Sequence, residues 1–405
     1  MRTVLITLIG PERTADLVVD ADTPVRELLP NLLAAGGVVE SARSEPGWGI
    51  ALMGKQPIAP ELTLEASGVL DGAVLVLRRD VQAHPEPLLP SPSGGGPAGS
   101  PLERTRALLI RAGAVPARRG RLLPQLAESS MVADGRSEAL EATVAQARLS
   151  RCATIAVISP KGGVGKTTLS IMLGALLCSL RPDHVLALDA DSDYGSLGRV
   201  SPAGATAPAD GDDGLFDALS RGAVTFAELD RTLWKLPGGL RAIPSPRDPT
   251  AMARADREVY ARVIGNLQRL AGVLVIDCGT GFGQPGVQAA ILASDQLIAV
   301  TDASGATASL VVESMRLLER AGRPITVICN RLRRGRSGQE DLMRLDALFP
   351  RAGALIGIPE EPEAADAMRG EFAWQTAPRS LQQPMLELAA VLALGWSDLG
   401  LSAVA

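Results

Sequence analysis

The sequence predicts an α/β protein in which a small mixed domain precedes a larger parallel-sheet domain. Three observations predict it. From Thr154 onward, apolar strands at 154–159, 185–188, 240–243, 273–276, 296–301, 325–329 and 354–358 alternate with helical stretches. Continuous apolar strands separated by helices form a parallel sheet covered on both faces. A glycine-rich turn joins the first of those strands directly to a helix. Ahead of them, a Pro-, Gly- and Ser-rich stretch at 81–101 sets residues 1–80 apart.

The composition agrees. At roughly 150 residues per domain, 405 residues allow two or three. Apolar residues make up 46%, yet there are only four Trp, two Tyr and five Phe, so Leu, Val, Ile and Ala must fill the core. Forty basic against 45 acidic residues argue against a surface coated for general nucleic-acid binding. Cys152, Cys178, Cys278 and Cys329 stand alone in apolar contexts and read as reduced, buried thiols of a cytoplasmic protein. No apolar run reaches the ~18 residues that span a bilayer. The opening residues turn polar too soon for a signal peptide. Lysine is scarce: Lys55, Lys161, Lys166 and Lys235 are all there are. Two of them within six residues mark a place where chemistry asks for lysine.

Residues 3–9 form a β-branched strand, 10–13 a turn and 15–19 a second strand, giving a hairpin. Asp22-Thr23-Pro24 opens a helix with a capping residue and a first-turn proline. That helix carries Val25, Leu28, Leu29 and Leu32 on one face and stops at Gly36-Gly37. A third strand spans 48–52, a turn 68–72, and a last strand 73–77. This ββαββ order with its Leu70-Asp71-Gly72 turn resembles the ubiquitin-like β-grasp fold, and more closely the YukD and EccD N-terminal domains of type VII secretion systems. The resemblance implies a docking module. Conjugation is excluded because Arg78-Arg79-Asp80 runs on into more chain where ubiquitin ends in a free diglycine. Residues 81–101 read as a tether. Residues 102–150 read as a weakly amphipathic helical connecting segment with a solvated face.

The strand at 154–159 runs into Pro160-Lys161-Gly162-Gly163-Val164-Gly165-Lys166-Thr167-Thr168, and a helix follows at once. That strand–glycine loop–helix context is the one a P-loop requires. Glycines let backbone N–H groups turn toward phosphate oxygens, and the helix N-terminus adds its positive dipole end. Lys166 is placed to bridge the β and γ phosphates of a nucleotide and Thr167 to ligate Mg²⁺. Pro160 stands where the general Walker pattern has its first glycine. The whole string resembles the deviant Walker A box of the MinD/ParA family, with the likeness extending over 152–395. The resemblance implies that Lys161 crosses an ATP-bound homodimer to the partner's phosphates, as an arginine finger does.

Two further motifs fall in family order. The resemblance makes Asp191, in Leu188-Asp189-Ala190-Asp191, the switch I aspartate that approaches Mg²⁺ and orients the attacking water. Asp189 reads equally well as a structural acceptor. Val273-Leu274-Val275-Ile276-Asp277 resembles a Walker B strand, with Asp277 holding Mg²⁺ through water, and Cys278-Gly279-Thr280-Gly281 resembles switch II. Asn330 matches the family's base-reading asparagine. Pro359 and Glu360 match the loop that packs against adenine.

Partners are read by the same likeness. The final apolar stretch 386–394 carries no basic residues, so it reads as a packed helix and not as a membrane-targeting tail. Arg331, Arg333, Arg334 and Arg336 could touch DNA phosphates, and a solvated arginine loop explains them equally well. An iron protein would need a second switch cysteine besides Cys278. A bacterial tyrosine kinase would need terminal tyrosines, and Tyr194 and Tyr260 are internal. The expected protein is therefore a β-grasp domain at 1–80, a linker at 81–101, a helical segment at 102–150 and a MinD/ParA-like P-loop ATPase domain at 151–400. It would be a Mg²⁺-dependent ATPase switching a homodimer. It would be cytoplasmic and brought to the inner face of the plasma membrane by type VII secretion components. The alternative is a positioning or partition protein acting on DNA or a polar assembly.

Overall fold

The computed structural model describes residues 3–9, 14–38, 48–52, 58, 60–67, 69, 73–79, 99–114, 130–191, 195, 197, 200, 212–222, 225–246, 248–369 and 371–402. The chain forms two compact units, Met1–Gly94 and Gly95–Ala405.

In the first unit, β1 (Thr3–Ile9) and β2 (Thr14–Asp20) pair antiparallel. β3 (Trp48–Leu52) pairs antiparallel with β4 (Ala73–Arg79), and β4 lies parallel to β1. The order β2-β1-β4-β3 places the parallel pair at the centre. The helix Val25–Ala35 buries Val25, Leu32 and Leu33 in a core shared with Ile6, Leu8 and Leu75. This is the ubiquitin-like arrangement. One local expectation is corrected: Asp22 does not cap the helix, because Pro24 occupies the N-cap and gives no side-chain bond. The Asp20 carboxylate instead accepts from Asp22 N at 3.0 Å and Thr23 Oγ1 at 3.1 Å. The turn expected at 10–13, most of that at 68–72, and the tether as far as 98 lie outside the described residues.

The second unit is built on a sheet of β5 (Ala153–Ile158), β6 (Val185–Ala190), β7 (Trp234–Lys235), β8 (Arg241–Ile243), β9 (Val273–Cys278), β10 (Gln296–Thr301), β11 (Ile325–Leu332) and β12 (Ala354–Pro359). Their order is β12-β11-β10-β5-β9-β6-β8-β7. All pairs are parallel except β7 with β8. Side chains alternate across the sheet. Ile155 and Val157 enter one core with Leu173 and Leu388, and Ala156 and Ile158 enter the other with Val263 and Val311. The chain winds away from β5 on both sides, through β9 and β6 one way and β10 to β12 the other. A crevice for ligands therefore opens at the carboxyl end of β5.

The helical segment expected at 102–150 is described at 102–114 and 130–150, where each helix has a buried side as well as exposed positions. Ser100 caps the helix Pro101–Arg111 in a reciprocal box with Glu103, so the helix already begins inside the stretch read as linker. Leu109 of that helix, and Leu140 and Val144 of the helix Ser130–Gln146, are buried in the core of the second unit. Leu355 N of β12 donates to Thr105 Oγ1 at 2.9 Å, and Leu102 N donates to Asp346 Oδ1 at 2.8 Å. The first bond satisfies an N–H of the edge strand β12, and the second ties the helix Pro101–Arg111 to the helix Arg336–Leu348. The C-terminal helix Arg379–Asp398 is packed, as expected. Arg136 pairs with Glu387 at 2.5 Å, and Trp396 Nε1 donates to Gln296 Oε1 at 3.0 Å. No helix among the described residues is long and apolar enough to cross a membrane.

Candidate active site

β5 is buried along its whole length, so the loop that follows starts from a fixed rail. The chain turns through 159–165 and enters the helix Lys166–Leu180. Gly165 is the N-cap at φ +97°, and a Cβ there would collide with the Asn330 amide. Only glycine suits both demands. The N-cap glycine gives no side-chain hydrogen bond, and the positive dipole end of the helix faces the loop.

Three expected side chains, Lys166, Thr167 and Asp277, converge at this point. Lys166 is only 8% exposed, and its Nζ lies 3.4 Å from the Lys161 carbonyl. Burial lowers its pKa, and the negative charges of Asp277 and Asp191 oppose that. Thr167 Oγ1 donates to Asp277 Oδ2 at 2.6 Å, and Ser170 Oγ donates to Oδ1 at 3.3 Å. Asp277 reaches them because its position in β9 lies beside Val157 in β5. Burial pushes its carboxyl up to about 6, against the hydrogen bond from Thr167 and the charge of Lys166.

Asp191 follows β6, the strand on the far side of β9. Its carbonyl accepts from Ser245 Oγ at 2.7 Å, and Gln284 Nε2 donates to its Oδ1 at 3.4 Å. Asp189 resolves to the structural alternative. It is fully buried and accepts from Asp191 N at 3.1 Å and Leu197 N at 2.9 Å. Burial, then the charge of Asp277, holds its carboxyl well above the usual range.

Lys161 is half-buried, and its Nζ donates to Thr307 Oγ1 at 2.9 Å. Asn330 ends at the loop too, with Nδ2 donating to the Val164 carbonyl at 2.8 Å. The β11–β12 register shifts between Cys329 and Leu332, and Arg331 stands at φ +54°. That bulge re-aims Asn330 toward the loop. Glu360 N bonds to the Leu332 carbonyl at 3.1 Å, which places Pro359 and Glu360 beside the same bulge. Gly162 and Gly163 are exposed at the loop crest, Val164 is buried beneath it, and Thr168 lies in the first helical turn.

A buried ammonium, an uncapped helix start, a hydroxyl and two carboxylates suit a Mg²⁺-bound nucleotide phosphate. Among the described residues no cluster of three or more His, Cys, Asp or Glu side chains forms a metal site of its own. Magnesium commonly takes one or two carboxylates and completes its shell with phosphates and water.

Residues 155–371 match the CobQ/CobB/MinD/ParA nucleotide binding domain. The chain belongs to that family. Residues 3–77 match YukD of the WXG100 protein secretion system. The ESX-1 secretion-associated protein EspI of Mycobacterium tuberculosis is 32% identical over 136 residues, which are 32% of this chain and 19% of EspI. The chain thus aligns with about a fifth of that relative. An ATP-binding protein of Methanocaldococcus jannaschii is 28% identical over 215 residues, 53% of this chain and 76% of the relative. The crystal structure of a ParA family ATPase from Chlorobium tepidum superposes with a TM-score of 0.50 at 19% identity. It covers 59% of this chain and 98% of that one, a likeness of fold.

Three of the four arginines after Asn330 are ion-paired within the chain. Arg333 pairs with Asp341 at 2.8 Å, Arg334 with Glu361 at 2.5 Å and Arg336 with Glu340 at 3.1 Å. Glu361 is buried, so drawing Arg334 away would strand a buried carboxylate, whereas Asp341 also meets Arg344 at 3.4 Å. Sequence reasoning missed Ser170, Thr307 and Gln284. Ser170 left a readable signal, a polar residue four after Lys166 inside the apolar run 169–178. The other two meet their partners only through the fold.

Proposed function

We propose that this chain is a Mg²⁺-dependent ATPase whose ATP-bound form is a homodimer. Its YukD-like unit would tie that cycle to a type VII secretion apparatus from the cytoplasmic side. One observation carries the catalytic reading: Thr167 and Asp277 meet at 2.6 Å beside the buried Lys166, at the mouth of a glycine loop. When Mg²⁺ is bound, it would neutralise phosphate charge at Thr167, Asp277 and Asp191. Lys166 would hold the β and γ phosphates, with loop N–H groups and the helix start on the remaining oxygens. Asp191 would orient water. Asn330, Pro359 and Glu360 would border the base.

Lys161 is the deviant residue of this loop. It would leave Thr307 and supply a cation to the partner's γ-phosphate, offsetting charge that develops in the transition state. The secretion link rests on the match of residues 3–77 to YukD and on the stretch shared with EspI.

ATP hydrolysis by the full chain, assayed with Mg²⁺ and with EDTA, tests the catalytic half. Phosphate release that stops with EDTA supports it, and no release in Mg²⁺ overturns it. Co-purification with secretion components from the native cell, compared between the full chain and one lacking residues 1–94, tests the other half. Equal recovery by both would remove the docking role.

A further inference from the structure

We propose that Gln284 is a positioning residue for hydrolysis, holding the Asp191 carboxylate through its side-chain amide. The inference rests on the reading of Asp191 as the water-orienting group.

Gln284 closes the glycine-rich loop that follows Asp277. It is the N-cap of the helix Pro285–Ala293, its N–H bonds to the Gly281 carbonyl at 3.0 Å, and its carbonyl accepts from Gln288 N at 3.0 Å. The backbone is therefore fixed on both sides. The side chain turns back over the loop, and Nε2 donates to Asp191 Oδ1 at 3.4 Å. The way is open because residue 279 is glycine. A Cβ at Gly279 would collide with Gln284 Oε1 and stand 2.9 Å from Asp191 Oδ1. The three residues thus share one small space between the two acidic strands.

Asp191 is held from its other side as well. Ser245 Oγ donates to its carbonyl at 2.7 Å, and Ser245 lies 3.3 Å from the hydroxyl of the fully buried Tyr260. Ser245 fixes the main chain of Asp191, and Gln284 fixes the carboxylate. A carboxylate free to rotate would aim at water only part of the time. Hydrogen bonds at catalytic groups are often long without substrate and tighten when it binds.

The test measures kcat and ATP affinity in the full chain for Gln284→Ala, Gln284→Glu, Asp191→Ala and the double variant Asp191→Ala/Gln284→Ala. Glutamate keeps the size of glutamine but presents an acceptor to Asp191 in place of a donor. The expectation is a loss of about tenfold or more in kcat for both Gln284 variants, with ATP affinity within about twofold of the parent. In the Asp191→Ala background, Gln284→Ala should cost less than about twofold further, because the group it positions is gone. Full activity in Gln284→Glu would assign the side chain to space-filling and overturn the proposal. So would equal losses in both backgrounds. If Asp191→Ala itself turns over normally, the reading of Asp191 has failed. If Asp191→Ala is impaired and Gln284→Ala is not, only the role of Gln284 falls.

Discussion

Lys161 Nζ sits 2.9 Å from Thr307 Oγ1 of its own chain, on the first turn of the helix Gly305–Arg320. The contact belongs to a small network. Thr307 Oγ1 lies 2.8 Å from Ser304 Oγ, which donates to Asp302 Oδ1 at 2.6 Å. Burial would raise the Asp302 carboxyl, but hydrogen bonds from Ser304 and the charge of Lys161 hold it below its usual range. An action on a partner's phosphate requires Lys161 to leave this network. Lys161→Ala should therefore bind ATP with the parent's affinity and lose ~10³-fold or more in turnover, as removal of an arginine finger does. Titration with a fluorescent ATP analogue and a phosphate-release assay measure the two quantities. A parallel fall in both would place Lys161 on its own nucleotide.

Lys166→Ala should abolish ATP binding. No other lysine stands in the loop except Lys161, which points to Thr307. Calorimetry with ATP and Mg²⁺ reads the result directly. Affinity equal to the parent's would remove the phosphate site from this loop.

The raised carboxyl of Asp277 makes a pH prediction for the nucleotide-free protein. Its value is about 6 when folded and 3.8 when unfolded. Between those values the folded state binds more protons than the unfolded one, so stability falls as pH rises through the window. Asp277→Asn lacks this term. Its stability relative to the parent should rise by up to about 3 kcal/mol from pH 4 to pH 7, at about 1.4 kcal/mol per unit. Denaturant unfolding at the two pH values measures it. A constant difference would show that Asp277 ionises at no cost inside the fold.

A chain beginning near residue 151 would lose the helices Pro101–Arg111 and Ser130–Gln146 and uncover their side of the core. It should unfold at lower temperature than a chain beginning at Gly95. Leu140→Ala should cost about 2–5 kcal/mol in the full protein, by cavity formation. Thermal unfolding followed by circular dichroism checks both, and equal melting of the two truncations would assign those helices no share in the core.

Much of this was readable in the sequence. Strand–loop–helix at 154–180 is a local pattern, and the strands that lead to Asp191 and Asp277 begin as continuous apolar runs. The rest depended on distant partners. Lys161 and Thr307 are 146 residues apart and Gln284 and Asp191 are 93 apart, so no window joins them. The helix Ser130–Gln146 read as only weakly amphipathic because Leu140 and Val144, buried among its described side chains, stand amid Ala, Gly and acidic residues. β7 is two residues long, too short to show any period.

The central claim is that ATP clamps two copies of this chain and hydrolysis releases them. Asp191→Ala tests it most directly, because it should bind ATP, hydrolyse it slowly and so accumulate in the clamped state. Size-exclusion chromatography with light scattering, run with Mg²⁺-ATP and without nucleotide, reads the mass. The account predicts twice the monomer mass of 42.1 kDa with ATP, the monomer without it, and the monomer in both conditions once Lys161→Ala is added. Monomer mass for Asp191→Ala in saturating ATP would contradict it.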